Sequence, residues 1–312
     1  MNRRAFLKTL GYGTVTSLAG CPTLIRTSHK PESTKKVLLI GVDGLRPDAL
    51  QVAATPYIDS LVTEGAYSFA ARTGEYTISG PGWSNILTGV WENKHGVKDN
   101  TFQGVDYQKY PTVFTHLEKY RPELNTAALA SWGEITDSIA TAADRRLFFP
   151  FNQEGDFRVA RAAASLLDST DVDMMFAYFM GVDEAGHKYG FAPDVPKYLS
   201  EIEIIDQYVG MMMKGLKRRL TYNQEAWLTI LTSDHGGKGK SHGGVGEEAM
   251  KVPLIMHGPA VQKGELLPVP RQVDIAPTIL SYLGIPLRAE WGLDGKVISL
   301  KESYLKTESY QR

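Results

Sequence analysis

The stretch Val37-Leu38-Leu39-Ile40 contains no polar residue, and it runs straight into Gly41-Val42-Asp43-Gly44. A strand with one wet face alternates apolar and polar side chains. A strand that is apolar throughout needs cover on both faces. That cover comes from helices packed above and below a mostly parallel sheet, so this single run argues for an α/β architecture. Thr126–Ala130, Met174–Phe179, Leu228–Leu231 and Val252–Met256 repeat the signature. Helical patterns lie between them, over Pro56–Glu64, Phe157–Leu167 and Pro196–Arg219, and Trp83–Leu87 opens a further helix after a Gly/Pro turn. In the longest helix Leu199, Ile202, Ile205, Val209, Met212 and Leu216 recur every three or four residues and mark one apolar face. Met211–Met213 read as core filling. Asp274 reads as a helix cap with Pro277 in the first turn. No internal repeat or low-complexity block breaks the pattern. Residues 36–312 are therefore expected to form one domain, with a mostly parallel central sheet and helices on both faces.

Composition excludes several classes. The 312 residues carry 34 Lys and Arg against 35 Asp and Glu, a net charge of -1, without the basic excess of a nucleic-acid binder. Hydrophobic residues make up 43%, which fits a globular chain rather than a disordered one. The single cysteine, Cys21, rules out an intramolecular disulfide and any cysteine-ligated zinc or iron–sulfur site.

Residues 1–20 have the layout of an export signal: Arg3 and Arg4, a short weakly apolar stretch, then small residues. The stretch is too short and too interrupted by Lys8 and glycine to span a membrane. Asn2-Arg3-Arg4-Ala5-Phe6-Leu7-Lys8 resembles a twin-arginine signal, and Leu18-Ala19-Gly20-Cys21 resembles a bacterial lipobox. The expected product is exported by the twin-arginine machinery to the periplasm or cell envelope and held at the membrane by lipid on Cys21. Residues 21–35 read as a tether. Loss of residues 1–20 leaves 31 basic against 35 acidic residues, a balance of -4.

In an open parallel sheet, ligands gather at the carboxyl ends of strands. There the chain places Asp43, then Asp183 and His187 in Gly181-Val182-Asp183-Glu184-Ala185-Gly186-His187, then Asp234 and His235 in Ser233-Asp234-His235-Gly236-Gly237, and finally His242. Three of the seven histidines thus fall beside carboxylates in glycine-rich loops. Oxygen and imidazole donors without thiolate suit Zn²⁺, and also Mn²⁺ or Fe²⁺. Six ligands are enough for two metals with open positions, and such a pair, about 4 Å apart, suits in-line phosphoryl displacement.

These residues, with Thr55-Pro56-Tyr57-Ile58-Asp59-Ser60-Leu61, the Ser79 turn running into Leu87-Thr88-Gly89, His95-Gly96-Val97-Lys98-Asp99-Asn100 and Asp274-Ile275-Ala276-Pro277-Thr278-Ile279-Leu280, stand in the order of a known family. From Lys36 to about Lys296 the chain resembles the alkaline phosphatase superfamily, and within it the type I phosphodiesterase/nucleotide pyrophosphatase branch. The resemblance implies an alkaline phosphatase-like fold and a hydrolase acting on phosphoric esters through a phosphoseryl intermediate. It assigns Asp183, His187 and His242 to one divalent metal, and Asp43, Asp234 and His235 to a second, with the Ser79 oxygen as a further ligand. Ser79 takes the nucleophile's place, and Asn100 that of an amide donating to a phosphoryl oxygen. A serine hydroxyl needs a metal to become an alkoxide at neutral pH, and a helix N-terminus beneath it favours a bound phosphate.

The chain departs from the branch pattern in two places. Ser79 replaces the usual threonine, and Gly80 replaces an aromatic that stacks a nucleobase, with Trp83 as another platform. Trp83 also fills the arginine position of the sulfatase motif, which disfavours a sulfatase. Thr77 is a reserve nucleophile. His95 reads as structural, and His29, His116 and His257, away from carboxylates, as surface or packing residues. Lys238 and Lys240 either attract phosphate or line a solvated loop. A phosphomonoesterase or phosphonate monoester hydrolase, and an envelope phosphoglycerol- or phosphoethanolamine-type transferase, are the competing activities.

Overall fold

Alternate side chains of the central strands go to opposite faces of one sheet. The structure, a computed structural model, describes residues 34–169 and 171–305. The signal, Cys21, His29 and the tether as far as residue 33 lie outside the described residues. β1 (Thr34–Val42) begins two residues earlier than expected, so Thr34 and Lys35 are strand rather than tether. It is followed by β2 (Ala66–Arg72), β3 (Thr126–Ala130), β4 (Arg145–Phe148), β5 (Met174–Phe179), β6 (Glu225–Thr232), β7 (Lys251–His257) and β8 (Gly264–Glu265). Their spatial order is β4-β3-β5-β1-β6-β7-β2-β8. Every strand runs parallel except β7, which pairs antiparallel with both neighbours.

In register, Leu39 of β1 lies between Phe176 and Ile230, and these pack with Trp83, Phe114 and Ile279 on one face. The next rung, Ile40 with Ala177 and Leu231, faces the other way, onto Ile58, Val159 and Ile205. The unbroken apolar runs thus fill two cores, one on each side of the sheet, as period-two geometry requires. Helices Pro56–Glu64, Gly155–Ser169 and Pro196–Lys217 cover one face; Ser79–Thr88, Val113–Tyr120 and Ile275–Tyr282 cover the other. Met212 is buried and Met211 packs against the same core, which accounts for the methionine run.

Three local expectations change. The Gly80-Pro81-Gly82 turn is itself the first turn of the Ser79–Thr88 helix. Gly181–Tyr189 is a helix, not a loop, so Asp183 and His187 sit one turn apart on one helical face. Asp274 precedes the Ile275–Tyr282 helix, but its carboxylate accepts the Arg271 and Lys296 backbone N–H groups rather than capping that helix. No helix among the described residues is long and apolar enough to cross a membrane.

Candidate active site

β5, β1 and β6 are neighbours in the sheet, so their carboxyl ends deliver three of the expected segments to one place. Asp43 follows β1, the Gly181–Tyr189 helix follows β5, and Asp234-His235 follows β6. Ser79, first residue of its helix, comes in from the side. Its Oγ lies 3.5 Å from Asp43 Oδ1 and 3.4 Å from His235 Nε2. His235 Nε2 is also 3.4 Å from Asp43 Oδ1 and 3.3 Å from Asp234 Oδ2. Both carboxylates are oriented from behind. Asp43 Oδ2 accepts the Trp83 indole N–H at 3.0 Å and the Tyr178 hydroxyl at 2.6 Å. Asp234 Oδ1 accepts the Gly44 N–H at 3.3 Å. Gly44 adopts φ +66° with Asp183 packed against it, a position only glycine fits.

A second cluster lies beside the first. His187 Nε2 is 3.3 Å from Asp183 Oδ2 and 2.9 Å from His242 Nε2, and His242 Nε2 is 3.5 Å from Asp183 Oδ1. The His235 and His242 rings stack at 3.8 Å, joining the two clusters. Donor atoms converge within 4.8 Å in two groups, Asp183 with His187 and His242, and Asp43 with Asp183 and His235. Asp183 therefore belongs to both groups. Asp234 falls outside the second and meets it through His235.

The donor set has the electronic character of a cation site. Each histidine faces a backbone carbonyl through Nδ1: His235 that of Gly236 at 2.9 Å, His187 that of Lys240 at 3.0 Å, His242 that of Thr77 at 2.7 Å. A carbonyl only accepts, so Nδ1 carries a proton in each ring and Nε2 is the atom turned into the site. The Nε2 atoms of His187 and His242 then face each other and the Asp183 carboxylate. Asp183 Oδ1 and Asp234 Oδ2 are buried without a hydrogen-bond partner. Burial pushes Asp43 up to about 6, helped by the Asp183 charge, and holds Asp234 well above the usual carboxylate range. Burial acts the same way on Asp183, but the His187 hydrogen bond and the neighbouring imidazoles outweigh it and lower the group. His187, bonded to Asp183, is raised to about 9; burial beside His235 lowers His242 to about 4. Orphaned carboxylate oxygens and converging Nε2 atoms are what a bound divalent ion would relieve.

The clusters open into a cleft of about 410 Å³ lined by Ser79, Asn100, Trp132, Tyr178, Met180 and Glu184, among others. Asn100 Oδ1 accepts the Gly80 N–H at 2.8 Å, which leaves its amide nitrogen as the group able to donate to a ligand. That bond also engages an amide of the helix's first turn, and Pro81 has none to offer. A side chain at residue 80 would meet the Asp99 carbonyl at 2.8 Å, which explains the glycine there. Trp132 stands two residues past β3, at another strand end, and the same positional logic identifies it.

Trp83 is not an open platform: it is fully buried and holds Asp43. Thr77 is buried with its hydroxyl engaged by Gly243 and Gly244. Lys238 pairs with Glu248. His95 is structural, bonded to Asn85 and the Val97 N–H, and burial lowers it to about 4. His116 packs on Trp291. His257 does have a carboxylate neighbour, Glu64 at 3.5 Å.

The sequence profile of the type I phosphodiesterase / nucleotide pyrophosphatase family matches residues 37–250. The chain is 26% identical over 236 residues to bis(5'-adenosyl)-triphosphatase ENPP4 of Bos taurus, covering 70% of this chain and 51% of that protein. It is 29% identical over 164 residues to the catalytic subunit of human GPI ethanolamine phosphate transferase 3, covering 48% of this chain and 14% of that protein. The chain spans about half the length of ENPP4 and of ectonucleotide pyrophosphatase/phosphodiesterase family member 7 of Mus musculus, another relative it matches. Among solved structures, murine ENPP5 in complex with AMP superposes with a TM-score of 0.65 at 16% identity, covering 86% of this chain and 98% of that one. A 2-O GAG sulfatase superposes at 0.71 and 15% identity, covering 88% and 75%. Likeness at this identity describes the shared fold.

Proposed function

The chain belongs to the type I phosphodiesterase / nucleotide pyrophosphatase family, and from that premise we propose that it is a metal-dependent phosphohydrolase cleaving phosphodiester or related phosphoryl bonds through a phosphoseryl intermediate on Ser79. The observation that carries this reading is the contact of the Ser79 hydroxyl with the donor set itself, 3.5 Å from Asp43 Oδ1 and 3.4 Å from His235 Nε2. A hydroxyl placed there adjoins the donor atoms directly, so positive charge held by those donors would lower its pKa.

Asp183, His187 and His242 would hold one divalent ion, and Asp43, Asp234 and His235 a second, adjoining Ser79; the imidazole-rich set favours Zn²⁺ over Mn²⁺ or Fe²⁺. Two such ions would supply the charge that lowers the serine pKa and neutralises the attacking and departing oxygens. Ser79 Oγ forms the new bond to phosphorus as the leaving alkoxide departs. Water then attacks phosphorus and frees Ser79. The Asn100 amide nitrogen donates to a non-bridging oxygen, and a neutral amide suits a diester with its single charge. Trp132 forms the aromatic wall of the cleft against which a leaving group rests. Hydrolysis of bis-p-nitrophenyl phosphate in preference to p-nitrophenyl phosphate is expected. A large monoester preference would favour the monoesterase reading instead.

The relation to a GPI ethanolamine phosphate transferase favours one further reading, transfer of the phosphoryl group to an alcohol rather than to water. Product analysis with glycerol as acceptor separates the two. The N-terminal motifs support export and lipid anchoring at Cys21 as part of the same proposal. Replacing Cys21 with alanine is expected to release the protein from the membrane fraction, and retention would defeat the anchor.

A further inference from the structure

His242 sits on a glycine-rich loop whose earlier part is tied by Phe191 and His187 to the Gly239 and Lys240 carbonyls and by paired bonds between Lys238 and Ser241. Gly239, Gly243, Gly244 and Gly246 lie within nine residues, and space is open around Gly239 and Gly244. Ordering such a segment costs more backbone entropy than ordering ordinary residues. Yet His242 must present Nε2 to Asp183 and His187 with some accuracy.

Three groups of this loop bond to one residue. The Thr77 carbonyl accepts His242 Nδ1–H at 2.7 Å. The Thr77 hydroxyl accepts the Gly243 N–H at 2.9 Å and donates to the Gly244 carbonyl at 2.8 Å. That hydroxyl has one proton, and Gly244 takes it; the residue is fully buried. Thr77 is therefore ill suited to be a nucleophile and well suited to be a clamp. It lies two residues before Ser79, separated only by Ile78, whose side chain approaches Gly243.

We propose that Thr77 is the positioning residue that seats His242 in its donor cluster and sets that cluster in register with Ser79. The inference rests on the two-metal reading above and adds what builds the second site. One short segment thereby aligns the nucleophile and the more exposed metal position. Partners that orient a ligand histidine typically change metal affinity by about 10- to 100-fold when removed.

The test compares wild type, Thr77→Val and Thr77→Ser, stripped of metal and titrated with Zn²⁺ against a chromophoric chelator, with thermal melting read on each. Thr77→Val keeps the shape and the carbonyl but loses the hydroxyl. It is expected to hold one ion as tightly as wild type and the other about 10-fold more weakly, the low end of the range because the carbonyl partner of His242 remains, with activity on bis-p-nitrophenyl phosphate recovering in excess Zn²⁺. Thr77→Ser restores the hydroxyl and is expected to bind both ions like wild type. If valine does not fold, Thr77→Ala removes the same hydroxyl. Two ions bound at wild-type affinity by the folded hydroxyl-less variant would overturn the inference, and so would equal impairment of the serine variant. Failure of wild type to bind two ions would instead defeat the metal reading on which it rests.

Discussion

The two donor clusters use the same chemical groups and are built in opposite ways. Asp43, Asp234 and His235 sit directly at the ends of β1 and β6, all fully buried, with Trp83, Tyr178 and the Gly44 amide fixing the carboxylates from behind. Asp183, His187 and His242 ride on a nine-residue helix and a glycine-rich loop, and the His187 side chain is 43% exposed. The difference teaches that rigidity here follows distance from the sheet. The first cluster inherits its geometry from strand pairing, while the second depends on a few local hydrogen bonds. On the two-metal proposal, the first would therefore hold its ion tightly and the second would exchange it.

The largest expected effect strikes Ser79, the proposed nucleophile beside both clusters. Ser79→Ala should lower kcat by on the order of 10⁴-fold or more while metal content stays unchanged; steady-state rates and metal analysis check both halves. Surviving hydrolysis would remove Ser79 from the mechanism. Asp43→Asn should cost on the order of 10³-fold in kcat, because it weakens the buried cluster next to the serine, and excess metal should not restore the rate. His187→Ala should cost roughly 10- to 100-fold at limiting metal and recover substantially on metal addition. Rescue of Asp43→Asn but not of His187→Ala would reverse the comparison.

The smallest effect comes from behind the buried cluster. Asn85, on the Ser79 helix, bonds His95 at 2.9 Å, and Gln272 links that network to the Asp234 carbonyl. His95 titrates at about 4 in the fold against 6.5 for an ordinary histidine. Below 6.5 the unfolded chain takes up a proton that the folded chain refuses, so stability falls with falling pH across the window from 6.5 to about 4. At about pH 5.5 the loss is about 1 kcal/mol. Urea unfolding at pH 7.5 and 5.5 should show it, and a shallower slope in His95→Gln should identify the group. An unchanged slope would place the proton uptake elsewhere.

Most of the sheet was legible because its central strands are buried on both faces, and unbroken apolar runs such as Met174–Phe179 have few other uses. β2, β4 and β8 were not. β4 exposes Arg145 and Arg146 at the sheet edge, and β8 is two residues long, so neither carries a burial pattern. The candidate donors could be listed from the sequence, because Asp43, Asp183 and Asp234 each come soon after an apolar run and the structure brings them together with His187, His235 and His242. What joins the donors was not legible there. The sharing of Asp183 between clusters, the indole of Trp83 turned toward Asp43, and Thr77 gripping a loop 165 residues further on arise only when distant segments meet. Spacing along a chain carries no record of such contacts. Helical periodicity in Gly181–Tyr189 was masked by its glycines and by the polar residues it bears.

The account turns on two metal positions of unequal strength, and graded chelation measures that directly. Protein loaded with Zn²⁺ is dialysed against rising chelator, and bound metal and diesterase activity are read at each step. Two ions per chain are expected, one leaving first with recoverable loss of activity, and the second leaving only under stronger chelation. In His187→Ala the first step should shift or vanish while the second stays in place. A single cooperative loss of both ions, or a wild-type chain that holds fewer than two, would contradict it.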